Sequence, residues 1–160
     1  MTVFETTRGN VELKFDFAFM FKVDKAMSTK NAETGQPNMD GVGALFTGIA
    51  NRDEEALVAL LQTASKRSLS KELTEDEAVA SLEKKFEEIG TDDPEEALFA
   101  EIQADMVASG FFKKKILKYI EQLEMAYDFM REQKTDDEQV KTFQLKQFKK
   151  QISLLKGAIS

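Results

Sequence analysis

The sequence has 160 residues, 42% hydrophobic and 32% charged, with 13 Phe, no Trp, no Cys, no His and a formal net charge of −7. That size and balance describe one soluble domain, able to bury a core without disulfides or metals. Missing Cys and His rule out disulfides, thiolate-held metals and Ser-His or Cys-His nucleophile pairs, which argues against an enzyme.

The chain opens with VFETTRGNVELKF, where Arg8-Gly9-Asn10 separates two short alternating runs. Gly and Asn tolerate the backbone of a tight turn, so a small N-terminal β-hairpin is predicted. Apolar residues occupy every odd position from Val11 to Val23. From Asp16, a suitable N-cap, the run FAFMFKVDKAM lacks turn residues and reads as a helix. Phe17 and Phe21 share one side of it, while Phe19 and Val23 point elsewhere and become candidate partner contacts.

Residues 28–41 cluster Ser, Thr, Asn, Gly and Pro, a long loop. Beyond it a polar cap followed three residues later by Glu recurs as Asn51–Glu54, Thr74–Glu77, Asp93–Glu96 and Thr135–Glu138. Helices are predicted at about 53–64, 74–89, 94–109, 110–132 and 137–156, with Gly90 and Gly110 as C-caps. Phe112, Ile116, Tyr119, Leu123, Tyr127 and Met130 form one apolar stripe, expected to be mainly core. Lys141, Leu145, Phe148, Ile152, Leu155 and Ile159 form another, on a helix with five Lys and no acidic residue from Lys141 onward. The fold class is mainly α, a helical domain with a small N-terminal β-hairpin. Residues 1–133 are expected to form that domain, and 134–160 a basic amphipathic helix that is an arm or an extension of it.

Three motifs invite chemistry and are better explained otherwise. GVGALFTGIA, residues 41–50, spaces Gly43 and Gly48 like P-loop glycines, but Ile49 and Ala50 stand where Lys and Ser/Thr must meet phosphate and magnesium. Its small residues instead suit close helix packing. The acids of TDDPEEALFAEIQAD lack the alternating ligands of a calcium loop and suit a helix start. Phe111-Phe112-Lys113-Lys114-Lys115 and the basic last helix raise nucleic acid as a partner, yet these cations are interleaved with apolar residues in an acidic protein. No cofactor or metal is therefore expected. No segment reads as a membrane span or leader, so a soluble, unexported chain is expected.

Charge is unevenly spread: residues 1–69 hold 9 acidic and 8 basic side chains, 70–110 hold 13 and 3, and 111–160 hold 7 and 11. Such polarity favours head-to-tail contact between copies. Seven Met offer adaptable apolar contacts suited to peptide grooves.

VELKFDF running into FMFKVDKAM, the Gly-rich segment and helix, the acidic section entered by TEDEAVASLEKKFEE, and the helix starting FFKKKI carry a resemblance in order and character across about residues 9–133. The chain resembles the tail assembly chaperones of long-tailed bacteriophages of Gram-positive bacteria, the lactococcal siphophage type most. The resemblance implies a non-enzymatic, mainly helical protein in the host cytoplasm. It would coat the apolar, helical tape measure protein until tail-tube subunits displace it, with the major tail protein as a further partner. It also implies self-association into an open, spiral-like array. Helix stripes then become candidate grooves, with Leu145, Phe148, Ile152 and Leu155 expected to form an exposed arm that meets a second copy or the tape measure. The competing reading is a small helical nucleic-acid-associated phage regulator.

Overall fold

The computed structural model describes residues 2–160. Among them a two-stranded antiparallel hairpin, β1 (Thr2–Thr6) and β2 (Gly9–Leu13), precedes seven helices. The helices are α1 (Phe17–Ala26), α2 (Gly41–Ala50), α3 (Glu54–Ser68), α4 (Glu75–Ile89), α5 (Pro94–Ala108), α6 (Gly110–Glu132) and α7 (Glu138–Ile159). The fold is mainly α with a small N-terminal hairpin.

A lone two-stranded hairpin is marginal in water, and this one is held by helices. Phe4, Val11 and Leu13 point into the core. Lys85 Nζ donates to the Val3 carbonyl at 3.1 Å and Ser81 Oγ to the Glu5 carbonyl at 2.9 Å, tying β1 to α4. The turn falls at Thr7-Arg8, with Thr6 opposite Gly9, and not on the Arg8-Gly9-Asn10 step. Gly9, at φ +128°, supplies the backbone that re-enters the strand. Arg8 is thereby freed to clamp Glu77 through two hydrogen bonds of 2.9 and 3.2 Å and the carbonyls of Lys71 and Glu72.

Several caps stand where the sequence places them. Asp16 accepts from Phe19 N, and Asp93 from Glu96 N beside Pro94. Thr74 and Glu77 close a full capping box, and Gly90 ends α4 in the left-handed region. Three other assignments need correction. Asn51 ends α2, and Asp53 caps α3; Asp137, not Thr135, caps α7. In these first two cases an Asp two residues further on offers an acceptor nearer the exposed N–H groups. Gly110 is the first residue of α6, because Ser109 ends α5 and also caps α6. Ser109 Oγ additionally donates to the Phe15 carbonyl at 2.7 Å, fixing the strand-to-helix corner against this junction.

The core is rich in phenylalanine: Phe4, Phe19, Phe46, Phe99 and Phe112 are fully buried. Phe15 meets Phe112 edge-on with ring centroids 5.0 Å apart, a favourable aromatic geometry. At the centre lies α2, whose glycines allow close approach. A Cβ on Gly41 would stand 2.2 Å from the Val23 carbonyl oxygen, and one on Gly43 2.1 Å from the Tyr119 ring. GVGALFTGIA is thus a packing helix, as its small residues indicated. Its N-terminus is satisfied by a distant residue, since Val42 N donates to Asp24 Oδ1 at 3.1 Å.

Candidate interaction surfaces

Burial reverses the expected facing of α1. Phe19 and Val23 are 0% exposed, while Phe17 and Phe21 lie at the surface. Phe19 stacks among Phe15 and Phe112, and Arg67 spans its ring while gripping Asp16 through two hydrogen bonds of 3.0 and 2.9 Å. The outward face of α1 is therefore the one that carries Phe17 and Phe21. Phe17 packs edge-on against the exposed Phe111 with centroids 5.7 Å apart. Phe21 also opens onto a groove of about 570 Å³ shared with Ala26 and Thr63 and rimmed by Lys22, Lys25 and Lys66.

The α7 stripe is corrected in the same sense. Ile152, Leu155 and Ile159 are buried in the common core, and Leu145 and Phe148 are half-buried, so these residues do not form an exposed arm. Phe148 faces Tyr127 of α6 with centroids 6.2 Å apart. The stripe repeats every seven residues, which makes it the seam along which α7 packs on α6.

An arm nonetheless exists, built from both helices. Phe112, Ile116 and Ile120 of α6 are buried, but from Glu121 to Gln151 no residue is. The outer half of α6 and the first half of α7 thus leave the body as a helical hairpin supported mainly by its own seam. Only the first half of the α6 stripe is core; Leu123, Tyr127 and Met130 are half-buried.

The arm's two flanks differ in chemistry. At 3.6 residues per turn, Gln122, Ala126, Phe129 and Gln133 align along one side of α6. Val140, Phe143, Gln147, Lys150 and Leu154 align on α7, a seven-residue repeat offset by one position from the buried seam. Gln133, Val140 and Gln144 line one cleft near the tip together with Lys134, Asp137 and Lys141, which puts the two strips on the same side of the hairpin. Glu124, Asp128, Lys149 and Lys156 line a cleft on the opposite side, where Lys156 pairs with Glu124 at 2.8 Å. One flank is charged along its length; the other carries its charges at its two ends, Lys134, Asp137 and Lys141 at the tip and Lys150 near the base, with uncharged side chains between them. On that flank Phe129 is 66%, Phe143 63%, Val140 49% and Leu154 40% exposed. Sequence reasoning missed this flank because its residues lie on two helices and converge only once the hairpin closes. Its signal was the seven-residue spacing of Val140, Gln147 and Leu154.

Rigid polar contacts hold the body beneath the arm. Arg52, at φ +58°, grips Glu96 through two bonds of 2.8 Å, donates to Gln103 at 2.7 Å and lies over the Phe99 ring. Asp24, 1% exposed, faces Lys115 Nζ at 3.0 Å. The Arg8 guanidinium, with the Thr74 backbone, holds the Glu77 carboxyl down to about 2. Glu95 is pushed up by its carboxyl neighbour Glu54. Among the described residues no three acidic side chains converge as a metal site requires, and no helix is long and apolar enough to cross a membrane.

A family model described as phage tail assembly chaperone protein, TAC, matches residues 4–122. The chain belongs to that family. No curated protein and no solved structure matches it. The segment shared with the tail assembly chaperones ends at Gln122, two residues beyond Ile120, the last buried residue of α6. The matched portion is thus the body through the base of α6, and the arm lies beyond it. For a tail assembly chaperone the implied partners are phage tail proteins.

Proposed function

We propose that this tail assembly chaperone, of the lactococcal siphophage type, binds the apolar, helical tape measure protein in the host cytoplasm and keeps it soluble until the tail tube polymerises. The observation that carries the reading is the family membership joined to exposed Phe and Met side chains on an acidic protein: Phe17, Phe21, Phe111, Met125, Phe129 and Phe143. Exposed apolar surface of this kind marks a protein that contacts others. The role requires no catalysis, because holding a helix away from solvent asks only for apolar contact. Micromolar capture, about 8 kcal/mol, suffices and leaves the client displaceable by the major tail protein.

Self-association into a coat fits the same surface. The Phe21 groove is rimmed by three lysines, whereas residues 70–110 carry 13 acidic and 3 basic side chains. Head-to-tail contact between the two would repeat without closing and multiply weak client contacts by avidity. In this scheme residues 2–120 together with the last turns of α7 form the chaperone body, and residues 121–151 form the arm. The nucleic-acid regulator is not favoured: Lys149 and Lys156 of α7 border a flank already partly neutralised by Glu124 and Asp128.

The test is co-expression of the chain with the tape measure protein of the same phage. The tape measure should move from the pellet to the soluble fraction and co-purify with the chaperone. A tape measure equally insoluble with and without it would end the reading.

A further inference from the structure

The base of the flank that carries Phe129 and Phe143 already has an occupant. Helix α2, GVGALFTGIA, has no charged side chain and packs across α6 and α7 where the arm leaves the body. Gly43 seats against Tyr119, in a hollow that also contains Gln122. At the other end of α2, Asn51 donates to Gln151 Oε1 at 3.4 Å and shares a hollow with Gln147, Leu154 and the flank's one lysine there, Lys150. Beyond α2 the two ridges of the hairpin continue outward through uncharged side chains, Ala126, Phe129, Phe143 and Gln144, as far as the charged tip at Lys134, Asp137 and Lys141, with no third helix between them.

We propose that this outer flank is a docking groove for an uncharged, apolar α-helix carrying small residues, supplied by a client tail protein, which prolongs the packing begun by α2. The proposal rests on the chaperone reading and names the surface and chemistry of its client. Three points select this occupant. A groove between two helical ridges seats one helix, and α2 shows which kind fits against these ridges. A charged helix face would bury its charges against Phe129 and Phe143 in the middle of the flank, where the neighbouring side chains are uncharged and the lysines stand only at the two ends, a heavy desolvation cost. This chain's other exposed acidic helix faces are of that kind: α4 shows Val79 among Glu75, Asp76, Glu83 and Glu87. Glutamines along the groove add adaptable hydrogen bonding without fixing a sequence, as a chaperone of a long helical chain requires.

The probe is a fluorescein-labelled peptide containing the Gly41–Ala50 sequence, stapled into a helix and titrated with the full chain by fluorescence anisotropy. Saturable binding is expected, weakened about tenfold or more by the double variant F129E/F143E. K146E/K149E, on the other flank, should change it less than about twofold. Both sets of residues are exposed, and circular dichroism checks that each variant folds. Absence of binding, equal loss in both variants, or full binding by F129E/F143E would overturn the proposal. So would an F129E/F143E chain that loses self-association in light scattering yet keeps the peptide, since the flank would then be a contact between copies. Co-expression separates the two readings. If wild type fails to solubilise the tape measure, the chaperone reading falls and anisotropy still decides the groove. If wild type succeeds and F129E/F143E succeeds equally, the groove proposal falls alone.

Discussion

Replacing Asp24 with Ala tests how the body holds α2, the helix that begins the groove. Asp24 is 1% exposed; Oδ1 accepts from Val42 N at 3.1 Å, and Oδ2 lies 3.0 Å from Lys115 Nζ. The alanine removes the acceptor of a first-turn N–H of α2 and leaves that buried N–H unpaired, at about 1–3 kcal/mol. Lys115, whose side chain is 33% exposed, turns to solvent, so the loss of its partner adds less than the roughly 3–5 kcal/mol of a fully buried pair. Asp24→Ala should therefore destabilise by about 2–4 kcal/mol. At roughly 2–4 °C per kcal/mol for a chain of this size, the melting temperature should fall by about 4–16 °C. Asp24→Asn, which keeps an acceptor for Val42, should lose about half as much. Urea unfolding followed by circular dichroism reads both. If Asp24→Ala costs under about 0.5 kcal/mol, or as little as Asp24→Asn, the buried carboxylate does not anchor α2.

Three further perturbations probe the same framework. Gly43→Ala gains helix propensity, about 1 kcal/mol, but places its Cβ 2.1 Å from the Tyr119 ring; the overpacking should win by about 1–2 kcal/mol, and a thermal melt showing stabilisation would refute the close approach. Glu77 is held down to about 2 from 4.5 by Arg8, so its contribution is complete above pH 4.5 and is lost as pH falls toward 2. Arg8→Ala should lower stability at pH 7 and flatten that acid loss, as unfolding curves from pH 7 to 2 would record. Glu95 is pushed up by Glu54, so the pair favours the fold in acid and weakens it as pH rises through the raised value; Glu54→Gln should raise the melting temperature at pH 7 and leave it nearly unchanged at pH 3.

Local chemistry made much of the fold readable in the sequence. Thr74–Glu77, Asp16 and Asp93 are caps because their acceptors stand at the right spacing, and Gly90 ends a helix because it tolerates the left-handed backbone. Where two acceptors compete, as at Asn51 and Asp53 or Thr135 and Asp137, spacing alone does not choose. The facing of α1 was hidden for another reason: four phenylalanines surround it, and Phe19 turns inward because Phe15 and Phe112 wait there. On α7 two seven-residue repeats run one position apart. Tertiary packing buries Ile152 and Leu155 against the body and leaves Val140 and Phe143 outside. The interaction surface is legible only once α6 and α7 are antiparallel neighbours, since each contributes half of it.

The measurement that bears most directly on the account is sedimentation of the tape measure protein from cells expressing it alone, with the wild-type chain, or with F129E/F143E. The account predicts a pelleted tape measure alone, a soluble complex with wild type, and a return to the pellet with the variant. A tape measure that stays in the pellet beside well-folded wild-type chain would contradict it.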